Sequence, residues 1–331
     1  MLGNLCTTSL GALGIGITGV IILVLSAQYT VNKLIKLSRH FGVSGTFVGL
    51  TVMSVGTSLP EIGSHLMASI GILTGELDYK IASSTVLGAN IGSDVVQQTF
   101  VLGMVIFLMG SLTFSKDFLK RSYSLMIGTT LMCLILGWDG RYSRFDGLIL
   151  FGTFIWYMWY LYRFEQKSPK QKVEELKHSI GVEILLAFLS LCILLFSSAI
   201  VLRAVECLVH TTGLGGSLIG VFTLGVASAL PEMFTAIMGI RQHAEGISIG
   251  TLIGSNITNP LVAIGLGSMI STYYVPRPLI LWDLPMETIT AALLLVWLLT
   301  HKRKLGKGAA VYLMVLYFAY AIIRIMYFGV D

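Results

Sequence analysis

Apolar residues in this chain gather into long runs separated by short polar breaks. Ten runs stand out, at roughly 10–32, 44–72, 81–110, 122–138, 147–162, 181–207, 215–240, 247–271, 279–300 and 309–328. A helix needs about 20 such residues to cross the hydrocarbon core of a bilayer, so the pattern predicts ten transmembrane helices. The run at 181–207 is long enough for a tilted helix. The first run has no basic region before it and no cleavage pattern after it, so it reads as a helix rather than a signal peptide. Only 164–178, FEQKSPKQKVEELKH, is strongly polar. It reads as a solvated linker.

Composition agrees with a bilayer as solvent. The 331 residues are 55% hydrophobic and 12% charged, about half the charge of an ordinary soluble domain. A soluble protein of this size has no core large enough to hide that much apolar surface. The net charge of +5 is explained by topology. With the N-terminus outside, the odd-numbered loops hold 16 of the 22 Lys and Arg residues, among them Lys33, Lys36, Lys170, Arg303 and Lys304. The positive-inside rule then makes those loops cytoplasmic and puts both termini outside, and no nucleic-acid partner is implied. The four cysteines, Cys6, Cys133, Cys192 and Cys207, are scattered and suggest neither a metal site nor a disulfide framework.

The chain contains one unit twice. GTFVGLTVMSVGTSLPE (45–61) aligns without gaps when Glu61 is set on Glu232; Gly45, Gly49 and Pro60 then fall on Gly216, Gly220 and Pro231. The same offset sets Ser26 on Ser197, Leu37 on Leu208 and Gly42 on Gly213. A second block, LGANIGSDVVQQTFVLG (87–103), lies on IGTLIGSNITNPLVAIG (249–265), with Gly88, Gly92, Ser93 and Gly103 meeting Gly250, Gly254, Ser255 and Gly265. The expected organisation is a first five-helix repeat over 1–163, a cytoplasmic linker over 164–178 and a second repeat over 179–331. An odd number of helices per copy inverts the second copy. The expected fold is therefore an all-α membrane protein with two inverted five-helix repeats, broken at motif helices 2, 3, 7 and 8, and a site at the midplane between them.

The repeated motifs carry the chemistry. Glu61 and Glu232 sit mid-run, where a carboxylate costs about 2.5–3.5 kcal/mol even on a lenient insertion scale. Two acids at equivalent positions point to function more than to helix locking. Each follows a proline, so the carbonyls of Gly56 and Ala227 lose their helical donors. Broken backbone in a membrane needs a partner, and a cation is one. Thr57, Ser58 and Ser228 add hydroxyls at these breaks, and Ser93 and Ser255 add one per copy. Small residues also serve close helix packing, and both roles hold here. Hard oxygen donors without a Cys or His cluster disfavour Zn and Cu and suit Ca²⁺, while also accepting Na⁺.

These motifs, GTSLPE (56–61) with GANIGSD (88–94) and ASALPE (227–232) with GTLIGSN (250–256), resemble the α-repeats of the calcium/cation antiporter superfamily, its sodium/calcium exchanger branch in particular. The resemblance implies that Glu61 and Glu232 bind Ca²⁺ with the carbonyls of Thr57 and Ser228. It implies that Ser58, Ser93 and Ser255, with carbonyls at Ser54 and Gly225, form flanking Na⁺ sites. It further implies that helices one and six move as the gate while the motif helices hold still. No cofactor is implied; Ca²⁺ and the counter-ion Na⁺ are cargo. Three positions depart from the pattern. Ala229 replaces the serine that matches Ser58, and at Gln97 and Asn259, where the branch often has Asn or Asp and the second copy frequently has Asp, neither residue is acidic. They leave proton or other-cation coupling on the same fold as the alternative.

Other residues are read as follows. Asp94 is placed equally well at the site or against a neighbouring helix. His65, one turn after Glu61, reads as a satisfied packing residue, with proton handling as the alternative. Asp283 and Glu287 are expected to face water or the outer vestibule, and Arg203 and Glu206 to be interfacial. An intramembrane hydrolase using Ser58 or Ser93 has only His65 as an embedded base and leaves the repeated acids unexplained. A channel would conduct without counter-ion dependence.

Overall fold

The computed structural model describes residues 9–166, 179–210 and 220–328. Cys6, most of the 164–178 linker and the aligned Gly213 and Gly216 lie outside the described residues, as do the side chains of Arg203, Glu206, Cys207 and Leu208. The apolar runs are largely helical where they are described, with breaks at Ser58 and Ala229. The helices are α1 (Ser9–Phe41), α2 (Gly45–Thr57), α3 (Leu59–Thr74), α4 (Tyr79–Met109), α5 (Ser124–Leu136) and α6 (Arg144–Glu165). The second half has α7 (Ile180–His210), α8 (Gly225–Ser228), α9 (Leu230–Arg241), α10 (Glu245–Ile270), α11 (Leu279–Thr300) and α12 (Lys307–Phe328). Among the described residues, six helices are long and apolar enough to cross a membrane. Two of them, α4 and α10, carry the GS motifs and are the most enclosed.

The chain divides into two compact units, each drawn from both halves. The first comprises residues 1–60, 156–214 and 230–255; the second comprises 61–155, 215–229 and 256–331.

In the first unit α7 runs along α1, and α9 also packs on α1. Ala27, Val31, Leu34, Val48, Met53, Leu194 and Ile247 form its core. Large apolar side chains such as Ile17, Leu25, Phe188 and Phe196 point outward, as expected where lipid rather than water is the solvent. Helix α1 continues well past the expected end of its apolar run. Lys33, assigned to a cytoplasmic loop by charge counting, is buried within it and bonds the Glu183 carboxylate at 2.8 Å. That pairing allows the helix to extend to Phe41. Ser44 caps α2 by accepting from the Phe47 N–H at 3.1 Å, and its hydroxyl donates to Glu165 at 2.9 Å.

In the second unit α12 packs on α4 and α11 packs on α5. Two short antiparallel ribbons tie its loops. Strand β1 (Ser111–Thr113) pairs with β4 (Lys304–Gly306), and β2 (Arg141–Tyr142) pairs with β3 (Tyr273–Tyr274). Each ribbon joins two loops that helix alternation assigns to one membrane face.

Glycines set the closest approaches. A Cβ on Gly254 would lie 2.6 Å from Ser54 Cβ in the first unit, and one on Gly225 would lie 2.9 Å from the Gly92 backbone in the second. Ser54 aligns with Gly225 and Gly254 with Gly92, so the same crossing recurs at repeat-equivalent positions.

Candidate functional site

The prolines break the motif helices in the same way twice. Helix α2 ends at Thr57, Ser58 is non-helical and α3 starts at Leu59; α8 ends at Ser228, Ala229 intervenes and α9 starts at Leu230. Pro60 and Pro231 thus occupy first-turn positions, where a missing N–H costs nothing. The breaks put Glu61 and Glu232 in the first turns of α3 and α9, both buried. A helix N-terminus favours negative charge, which offsets part of the cost of enclosing these carboxylates. The Ser54 and Gly225 carbonyls accept the Ser58 and Ala229 N–H groups at 3.1 and 3.2 Å.

Ser54, Thr57, Ser58, Glu232 and Ser255 all belong to the first unit. All are buried. The Thr57 and Ser255 hydroxyls stand 3.5 Å apart, and the Ser58 hydroxyl has no hydrogen-bond partner.

The second unit gathers Glu61, Ser93, Ser228 and Gly225, with a wider polar network. Ser93 Oγ lies 3.5 Å from Glu61 Oε1, while Oε2 makes no hydrogen bond. Ser228 borders the same carboxylate and donates to the Gly225 carbonyl at 3.2 Å. Gln97 donates from Nε2 to Ser93 Oγ at 3.1 Å, and its Oε1 accepts from Asn256 Nδ2 at 3.1 Å. Asn259 donates from Nδ2 to Asp94 Oδ1 at 2.7 Å, and its own Oδ1 has no hydrogen-bond partner. Asp94 therefore reaches a motif residue of the second copy.

These two amide contacts are one contact repeated. Asp94 aligns with Asn256, and Asn259 with Gln97. Their polarity is opposite: Asn259 turns its nitrogen to its partner and keeps its oxygen free, whereas Gln97 gives up its oxygen and points its nitrogen at Ser93.

Two expectations change. Asp283 and Glu287 do not face water; both are buried. Arg324 Nε reaches Asp283 at 3.0 Å and Tyr320 donates its hydroxyl to the same carboxylate, so the charge is matched inside the protein. Glu287 Oε1 accepts from Gln98 Nε2 at 2.7 Å, and the same nitrogen donates to Asn256 Oδ1 at 2.9 Å. Gln98, Asn256 and Glu287 thus join the network; sequence reading singled out neither Gln98 nor Asn256 and placed Glu287 at water or the outer vestibule. Only one signal in the sequence marked them: polar residues inside apolar runs. His65 packs its ring 5.5 Å from that of Tyr273, whose hydroxyl donates to the His65 carbonyl at 2.8 Å.

Known proteins resemble this chain over most of its length. The profile of the sodium/calcium exchanger protein family matches residues 11–163 and 182–326. The inner membrane protein YrbG of Escherichia coli is 27% identical over 77% of this chain and 78% of its own. The sodium/calcium exchanger MaX1 of Methanosarcina acetivorans is 22% identical over 92% of this chain and 96% of its own. Among solved structures, the sodium-calcium exchanger NCX_Mj soaked with 100 mM Na⁺ and 10 mM Sr²⁺ superposes with a TM-score of 0.78 at 24% identity, covering 97% of this chain and 99% of that one. That likeness establishes the all-helical membrane fold. The profile takes in all four motif segments with their buried acids and hydroxyls, and the chain belongs to the sodium/calcium exchanger family, a family of membrane transporters and not of enzymes.

Proposed function

We propose that this protein exchanges Ca²⁺ against Na⁺ across its membrane, with Glu61 and Glu232 as the acids that carry the divalent ion. One observation carries the reading. In the second unit the buried Glu61 is grouped with the Ser228 hydroxyl of a broken helix and with Ser93 of a GS motif, and Glu232 is buried at the repeat-equivalent position of the first unit. The donors are hard oxygens, the set that Ca²⁺ takes six to eight of. Family membership and the likeness to the sodium/calcium exchanger MaX1 support the same ions. The ten helices would form two inverted repeats, with Thr57 and Ser228 lending carbonyls to Ca²⁺ and with Ser58, Ser93 and Ser255 serving flanking Na⁺ sites.

The physical basis of exchange is charge. Two carboxylates serving one ion raise each other's proton affinity when nothing neutralises them. One Ca²⁺, two Na⁺ or two protons each satisfy them, and competition for the same oxygens makes transport an exchange.

A second reading keeps the fold and changes the counter-ion. It is favoured by Ala229, which removes one hydroxyl, and by Gln97, which offers Ser93 a nitrogen rather than an oxygen. The test is ⁴⁵Ca²⁺ uptake into proteoliposomes under outward Na⁺, K⁺ or H⁺ gradients applied singly. Uptake driven by Na⁺ is the expected result. Uptake driven by H⁺ alone would establish the second reading, and uptake indifferent to every gradient would overturn both.

A further inference from the structure

A chain of four side chains links two buried acids of the second unit. Starting from Glu287, the hydrogen bonds run through Gln98, Asn256, Gln97 and Ser93 to Glu61, with separations of 2.7, 2.9, 3.1, 3.1 and 3.5 Å. All of these residues are buried. The direction of every link follows from the first. Gln98 presents its amide nitrogen to Glu287, and while Glu287 is ionised its carboxylate only accepts, so that amide cannot turn. That nitrogen also serves Asn256 Oδ1, and Gln98 Oε1 is left with no hydrogen-bond partner. Asn256, its oxygen taken, donates from Nδ2 to Gln97. Gln97, its oxygen taken in turn, donates from Nε2 to Ser93. The repeat-equivalent contact shows the opposite outcome: Asp94 accepts from Asn259 and leaves the Asn259 oxygen available.

We propose that Glu287 is a specificity-determining positioning residue, which through Gln98 and Asn256 holds the Gln97 amide nitrogen toward Ser93 and so weakens Na⁺ binding at Glu61, Ser93 and Ser228. The inference rests on the proposed cation-exchange function and assigns a role that neither the repeat nor the motifs contain. Its mechanism is direct. The Gln97 nitrogen occupies a Ser93 lone pair that a monovalent ion would use, and it sets the positive end of a dipole beside that ion. Reversing the amide would require Gln98 to turn its oxygen toward the Glu287 carboxylate. Glu287 thereby blocks the oxygen-inward arrangement without touching the ion.

Glu287→Gln removes the block at constant size. The new amide can donate to Gln98 Oε1, every amide in the chain can reverse, and an arriving Na⁺ selects the arrangement with Gln97 Oε1 inward. A cation ligand gained at this site is worth about a fivefold tighter affinity or more. A purely electrostatic role for Glu287 predicts the opposite sign, since loss of a nearby negative charge weakens cation binding. The experiment is equilibrium ²²Na⁺ and ⁴⁵Ca²⁺ binding to the purified full chain in detergent, wild type against Glu287→Gln, with thermal unfolding as the check on folding. Tighter Na⁺ binding by the folded variant is expected; unchanged or weaker Na⁺ binding overturns the inference. If Glu287→Gln does not fold, Gln98→Met cuts the same chain one link nearer the site and carries the same expectation. Absence of Ca²⁺ binding in the wild type would instead refute the proposed function, and the Na⁺ comparison would still decide the role of Glu287.

Discussion

Glu61→Gln and Glu232→Gln each remove a formal charge and keep the side-chain volume. Each is expected to weaken ⁴⁵Ca²⁺ binding by about 100-fold, near the upper end for losing a charged partner, in protein that still purifies as a folded species. Wild-type binding in either variant would remove that glutamate from the proposed site. Asp94→Asn frees Asn259 to present its nitrogen, so Ca²⁺ binding should weaken about tenfold, a charge-assisted hydrogen bond's worth. Asp283 belongs to a different class. It is paired with Arg324 and Tyr320, and removing one partner of a buried pair costs about 3–5 kcal/mol. Asp283→Asn should therefore lower the unfolding temperature sharply while folded molecules keep their ion affinity. The glutamates could be found from the sequence because the repeat places each one mid-run after a proline. The amide chain could not, because its direction is fixed at Glu287, which is 189 residues from Gln98.

Among the elements, the helices follow directly from the apolar runs, and the breaks at Ser58 and Ala229 follow from Pro60 and Pro231. The extent of α1 does not. Lys33 looks like the end of a helix until Glu183 is seen to neutralise it, and that contact depends on two helices 150 residues apart in sequence. The Lys33–Glu183 pair also ties α1 to α7, the helices that the family resemblance assigns to the gate. Glycine positions make a second test. A Cβ on Gly92 would stand 2.5 Å from the Val221 carbonyl oxygen, whereas one on Gly63 meets nothing within 4 Å. Gly92→Ala should destabilise by about 1–3 kcal/mol, as overpacking does, and Gly63→Ala should leave thermal unfolding unchanged. Equal effects would show that small residues at these crossings serve something other than close approach.

For the whole molecule, orientation is the clearest open expectation. With both termini outside, Arg141 faces the exterior and Lys304 the cytoplasm. Single cysteines at Arg141, Lys304 and Thr113, in a background without the native cysteines, can be probed on intact cells with an impermeant maleimide. Labelling at 141 alone is expected, and 113 must behave as 304 does because β1 pairs with β4. Labelling at 113 and 304 but not 141 would reverse the orientation. The division of the chain into units has a consequence for how the protein is made. Neither unit is contiguous: the first draws its last segment from residues 230–255, and the second is unfinished until the 256–331 segment is supplied. A ribosome adds about 5–20 residues per second, so early helices must wait in the bilayer for partners not yet translated, and the first unit can close seconds before the second. During that interval Glu61, Ser93 and Ser228 are already made, while Glu287, at the far end of the finished network, has yet to be translated. A nascent chain halted just after Ser255 should thus protect α1 and α7 from protease and leave α4 and α5 still open to it.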